Sequence, residues 1–118
     1  MVQIIFKILN PEVLKAFREI MDVSQYKALF SLASSELGKN SLLLKSQLLN
    51  LEWKKVQFML HKMKGSMGSL GCDLLFQKIM MLENQLNGFQ ITVPDKDQID
   101  ILIETLDLTL KALKAETY

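Results

Sequence analysis

The chain has 118 residues, 49% of them hydrophobic and 23% charged, which is the size and make-up of one compact soluble domain with enough apolar material for a continuous core. Fourteen basic and thirteen acidic side chains leave a net charge of +1, so the broad positive field of a generic nucleic-acid binder is missing. One cysteine, Cys72, and one histidine, His61, supply neither an internal disulfide nor a usual zinc ligand set, and they fit a reducing, cytoplasmic setting.

The stretch Met1 to Leu9 is apolar but short, is interrupted by Lys7 and has no basic leader, unlike a signal peptide. No stretch reaches the ~20 apolar residues of a membrane span, so direct membrane insertion is not expected. Asn10, Pro11 and Glu12 read as an N-cap followed by proline at the first helical position, opening a short helix that fades near Asp22. Ser24 is the expected cap of a second helix, with Tyr26, Leu29, Phe30, Ala33 and Leu37 on one side and, beyond Gly38, Leu44, Leu48 and Leu49. A glycine inside a helix costs only ~1 kcal/mol relative to alanine. One long helix with a soft point at Gly38 is therefore expected.

The chain turns around Asn50, and from Glu52 to Leu70 the residues Val56, Leu60, Met63, Met67 and Leu70 recur at alternating four and three spacing, the mark of a third amphipathic helix. Gly71 suits the left-handed position past its end. Leu75, Ile79, Leu82 and Leu86 then form the stripe of a fourth helix, closed by Asn87 and Gly88. Phe89 to Asp97, containing Pro94, reads as a loop, and Ile99, Ile103, Leu106, Leu110 and Leu113 give a last helix. Four long helices with short connections and one apolar face each predict an all-α fold. Its architecture is an antiparallel up-and-down four-helix bundle with a short extra N-terminal helix. The whole of 1–118 forms a single domain, its core bundle spanning about 24–116, and because the bundle uses every apolar face a monomer is expected.

His61 follows Leu60, and ~100° of rotation carries it off the apolar stripe toward solvent. Its own face holds Lys54, Gln57, Phe58, Lys64, Gly65 and Gly68 at helical spacings. Two glycines within a helix forgo ~2 kcal/mol of propensity relative to alanine. Bare backbone one and two turns from an exposed imidazole would let the concave site of another protein close over the ring, with Lys64 supplying positive charge for an anion.

The segment His61-Lys62-Met63-Lys64-Gly65-Ser66-Met67-Gly68-Ser69-Leu70-Gly71 resembles the signature of histidine-containing phosphotransfer domains. That signature is a histidine, lysine three later, glycine four later and a small residue next, then an apolar residue nine later and glycine ten later. Leu82-Glu83 resembles the family's pair on the following helix, and Glu52-Trp53 the acidic and aromatic start of the histidine-bearing one, so the likeness spans Glu52 to Leu86.

The resemblance implies a phosphocarrier in a multistep two-component relay, in which His61 accepts a phosphoryl group from an aspartyl phosphate and passes it on. A neutral imidazole suits this step because it is nucleophilic near neutral pH and its phosphoramidate gives the group up again. By the same resemblance Lys64 steadies phosphoryl oxygens, Gly65 and Gly68 open the face, and Glu83 orients the imidazole. From the helix face they share with His61, Lys54, Gln57 and Phe58 are expected to be part of the docking surface. The implied partners are receiver domains of response regulators or of a hybrid sensor kinase. The chain has no cofactor of its own, magnesium coming from the receiver, and neither ATP binding nor autophosphorylation is expected.

Plainer readings stand beside these. The glycine and serine run after Lys64 matches neither the Walker pattern nor the dinucleotide fingerprint. Met63 and Met67 fill the core rather than a partner groove, and Lys54, Lys55, Lys62 and Lys64 with a balanced total charge read as a solvated face, not a nucleic-acid site. Cys72 reads as a small buried residue. Two other functional classes remain open at this level, the phosphorylatable amino-terminal domain of a chemotaxis-type kinase and a non-catalytic helical adaptor.

Overall fold

The computed structural model describes residues 6–87 and 93–118, and all regular structure among them is helical: α1 (Pro11–Ile20), α2 (Val23–Leu49), α3 (Trp53–Ser69), α4 (Asp73–Asn87) and α5 (Lys96–Ala115). Each start has a chemical cause. The Asn10 side chain accepts from the Glu12 amide at 3.0 Å, with Pro11 at the first position. Asp22 and Asp95 build capping boxes with Gln25 and Gln98, each pair exchanging side-chain and backbone hydrogen bonds. The cap of α2 is thus Asp22 and not Ser24, because Gln25 three residues on completes the reciprocal pair. For the same reason α5 starts at Lys96, inside the stretch read as loop up to Asp97; the part of that loop at 88–92, Gly88 included, lies outside the described residues.

α2 runs unbroken through Gly38, as the resumed apolar stripe requires. The turn from α2 to α3 places Leu51 at φ 54°, in the left-handed region, and Gly71 at φ 76° makes the turn from α3 to α4. α3 packs against α4 and α2, and α5 packs against α2 and α4; no comparable contact joins α2 to α4 or α3 to α5 among the described residues. Phe30, Leu37, Leu44, Val56, Leu60, Met63, Leu75, Ile79, Leu86, Leu102, Leu106 and Leu113 are fully buried in one core, each such side chain worth ~1.5–3 kcal/mol of transfer free energy.

The α3 and α4 stripes are buried as read, whereas that of α5 is rotated. Leu102, Thr105, Leu106, Thr109 and Leu113 are buried, and Ile99, Ile103 and Leu110 lie at its half-buried edge. The threonines enter the core because each hydroxyl donates to the carbonyl four residues back, Thr105 to Ile101 and Thr109 to Thr105, both at 2.7 Å. Leu49 leaves the core altogether and is exposed at the end of α2.

α1 is held by two devices. Phe17 meets Phe30 edge to face, with ring centroids 6.3 Å apart, and Arg18 donates to Glu116 at 2.9 Å, the same carboxylate oxygen that accepts the Tyr26 hydroxyl at 2.5 Å. Ahead of α1, the Asn10 amide donates to the Gly71 carbonyl at 2.8 Å and the Leu74 amide to the Lys7 carbonyl at 3.0 Å, so residues 7–10 clip the turn that follows α3. Among the described residues no helix is long and apolar enough to cross a membrane.

Candidate functional site

Burial of Leu60, Met63 and Met67 fixes the rotation of α3, and this turns His61 outward: its side chain is 75% exposed. On α4, Ile79, Leu82 and Leu86 face the core, and Glu83, one residue past Leu82, emerges at the edge nearest α3. Its side chain is only 8% exposed, and Oε1 lies 3.2 Å from His61 Nδ1 and 3.1 Å from Lys64 Nζ. The three residues singled out for chemistry therefore meet at one carboxylate oxygen. The other, Oε2, is buried without a hydrogen-bond partner.

Burial pushes the Glu83 carboxyl up, but the hydrogen bonds from Lys64 and His61, together with their charges, outweigh it and hold the group below the ordinary carboxylate value. An ionised carboxylate can only accept. The proton of a neutral His61 ring therefore sits on Nδ1, which leaves the Nε2 lone pair on the solvent side.

The surrounding face divides into free and committed residues. Phe58, one turn before His61, is 74% exposed, and Lys54 is exposed a turn further back. Gln57, expected on the docking surface, has its amide committed to the end of α4: Nε2 donates to the Leu86 carbonyl at 2.7 Å and to Asn87 Oδ1 at 2.6 Å.

The two glycines differ in the same way. A Cβ on Gly65 would meet nothing within 4 Å, whereas one on Gly68 would come within 3.2 Å of the Phe76 ring. The bareness of Gly68 thus has an internal cause, packing of α4 on α3, that its place on the His61 face did not reveal; the aromatic residue three after Asp73 was the available signal. Gly65 has no such cause.

Gly71 combines its positive φ with a hard contact, since a Cβ there would lie 2.8 Å from Val13 Cβ on α1. Cys72 beside it is fully buried, and burial, reinforced by Asp73, pushes its thiol up to about 12. The Arg18, Tyr26 and Glu116 cluster, unmarked by any motif, lies at the start of α2 and ties α1 to the end of α5.

Comparison of the chain with family models, with curated proteins and with solved structures returns no match. What the site can do is therefore argued from its geometry: an outward ring nitrogen, oriented by a buried anion, with an ammonium one helical turn away.

Proposed function

We propose that this chain is a histidine phosphocarrier, built on an antiparallel up-and-down four-helix bundle of α2 to α5, that relays a phosphoryl group between receiver domains of a multistep two-component pathway. One observation carries the reading: the imidazole is exposed to solvent yet tethered through Nδ1 to a buried carboxylate that also binds Lys64. A nucleophile meant for a small substrate is ordinarily enclosed in a pocket that excludes water. A nucleophile standing clear of its own surface suits delivery into the active site of another protein.

His61 Nε2 attacks the phosphorus of an aspartyl phosphate on the donor receiver, and Lys64 draws the phosphoryl oxygens with a charge-assisted hydrogen bond. The receiver supplies magnesium and the in-line geometry, and this chain brings neither ATP-binding machinery nor autokinase activity. Gly65 leaves room for the receiver to close over the ring, and exposed Phe58 with Lys54 gives it an apolar anchor and a cation. Gln57, its amide held by the end of α4, and exposed Gly68 complete this surface. Receiver domains, free or within a hybrid sensor kinase, are the partners, the working form is a monomer, and the relay runs in the cytoplasm.

The test is to incubate the protein and a His61→Gln variant with a receiver domain phosphorylated by a small phosphodonor in magnesium, then to follow acid-labile, base-stable phosphate. Label on the wild type alone is the expected result. A panel of phosphorylated receivers that leaves the wild type unlabelled overturns the reading, and label from a kinase domain with ATP would then identify the donor class.

A further inference from the structure

Both His61 and Lys64 use the same oxygen of Glu83 while Oε2 stays buried and unpartnered. One carboxylate oxygen thus serves two nitrogens, one of them the amine that a phosphoryl group on the ring would attract. From this we infer that Glu83 is the fixed member of an exchange: when His61 carries a phosphoryl group, Lys64 leaves Glu83 for the phosphoryl oxygens and the ring, now an imidazolium, becomes the counter-ion of Glu83. The inference rests on the phosphocarrier reading of His61 and adds what sets the stability of the carried group.

The balance of the step follows from the tautomer. Neutral His61, with its proton on Nδ1, donates the Nε2 lone pair to phosphorus, and the O–P bond of the donor breaks with its electron pair on the donor carboxylate. The ring then bears one positive charge and still holds its Nδ1 proton. On transfer to the acceptor the N–P bond breaks, its pair returns to Nε2, and an acceptor carboxylate oxygen bonds to phosphorus. No proton is taken up or released in either direction. Glu83 needs only to keep a negative charge beside Nδ1.

The cationic ring is the better leaving group, so whatever holds the Nδ1 proton speeds loss of the phosphoryl group. Glu83 does so from a desolvated position where its charge is weakly screened. The charged groups on the two helices of this face are Lys54, Lys55, Lys62 and Lys64 on α3 and Asp73, Lys78 and Glu83 on α4. Lys55 is paired with Glu52 and Asp73 with Asn10. On α2, which packs against α3, Lys45 is paired with Asp107 of α5, and Asp100 and Glu104 of α5, which packs on α4, are exposed to solvent. Glu83 is the acidic group in contact with the ring. It acts as a positioning residue through His61, and Lys64 is the residue that touches the group transferred.

Glu83→Gln keeps an oxygen that accepts from Nδ1 but removes the charge. Wild type, Glu83→Gln, Lys64→Met and the double variant are phosphorylated with phosphoramidate, and loss of phosphate is timed from pH 5 to 10. The pH above which loss slows is expected to fall by about one unit in Glu83→Gln, while 15N spectra of the unphosphorylated ring keep the Nδ1–H tautomer. The two substitutions are expected to be non-additive, since each changes the partner the other depends on.

Coincident pH profiles for wild type and Glu83→Gln overturn the inference. So do strictly additive effects, or a wild type that phosphoramidate does not label at His61. A shifted profile with phosphoramidate, combined with no labelling from any phosphorylated receiver, upholds the exchange and sinks the relay reading instead.

Discussion

Replacing Gly65 with alanine separates the needs of the fold from those of the proposed docking face. The residue is exposed in the last third of α3, and the added methyl would meet nothing within 4 Å. Alanine is better than glycine inside a helix by ~1 kcal/mol, partly by restricting the unfolded chain. With an unfolding entropy of ~2.1 cal/mol/K per residue near 60 °C, that gain corresponds to a rise of about 4 °C in Tm for a domain of this size. If the chain docks a receiver as proposed, the same methyl would stand in the path of the receiver closing over His61, where an overpacked contact costs ~1–3 kcal/mol, so transfer from a phosphorylated receiver should slow by about tenfold or more. Thermal unfolding followed by circular dichroism, and a timed phosphotransfer assay, read the two effects separately. A Tm that falls refutes the open space at Gly65, and undiminished transfer refutes its role in access. Gly68→Ala is the internal control: the Phe76 ring must yield, so the gain in Tm should be smaller or absent.

Gly71→Ala should destabilise by about 2 kcal/mol or more, because it adds left-handed strain to the close approach of Val13; recovery of part of the loss by Val13→Ala in a denaturant titration would verify the contact. Leu51 holds φ 54° without being glycine, so Leu51→Gly should stabilise the fold by about 1 kcal/mol, read as a higher denaturant midpoint, and an unchanged midpoint would show that the turn is unstrained. Glu83 has a folded pKa below its ordinary 4.5, so the stability it contributes is complete above that value and is lost as pH falls through the folded one. Tm measured from pH 7 down to 2 should therefore drop more steeply for wild type than for Glu83→Gln, and parallel curves would remove the linkage. Cys72, with its thiol pushed up to about 12, should react with a thiol reagent only at the rate of unfolding; fast labelling of the native protein would contradict its burial.

Much of this was legible because two helices obey simple rotation. On α3 and α4 every stripe position is an unambiguous Leu, Ile, Val or Met, so the apolar period fixed both faces and hence the outward turn of His61 and the edge position of Glu83. That Glu83 reaches His61 depends on how α4 is placed beside α3, which no single-helix pattern contains. The α5 stripe misled because Thr105 and Thr109 count as polar in a sequence while their hydroxyls are satisfied within their own helix. The cap of α2 misled because Ser24 and Asp22 are both good caps, and only the reciprocal bond to Gln25 decides between them. Gln57 and Gly68 share the face of His61 by rotation, yet their commitments to Asn87 and Phe76 are tertiary.

The clip made by residues 7–10 bears on the order in which the chain folds. Asn10 and Asp73, joined by a side-chain hydrogen bond at 3.0 Å, are 63 residues apart in sequence, whereas α3 and α4 meet across a turn of a few residues. The entropy of closing a loop grows with its length, and contacts close in sequence form first. The α3–α4 hairpin is therefore expected to form early and the clip to close over it late, which would place the clip among the first parts to open in the native state. The amide of Leu74 is the probe, since it donates to Lys7 rather than within its own helix: its hydrogen exchange is expected to report the free energy of opening the clip, smaller than that of the global unfolding that frees the amides at the centre of α4.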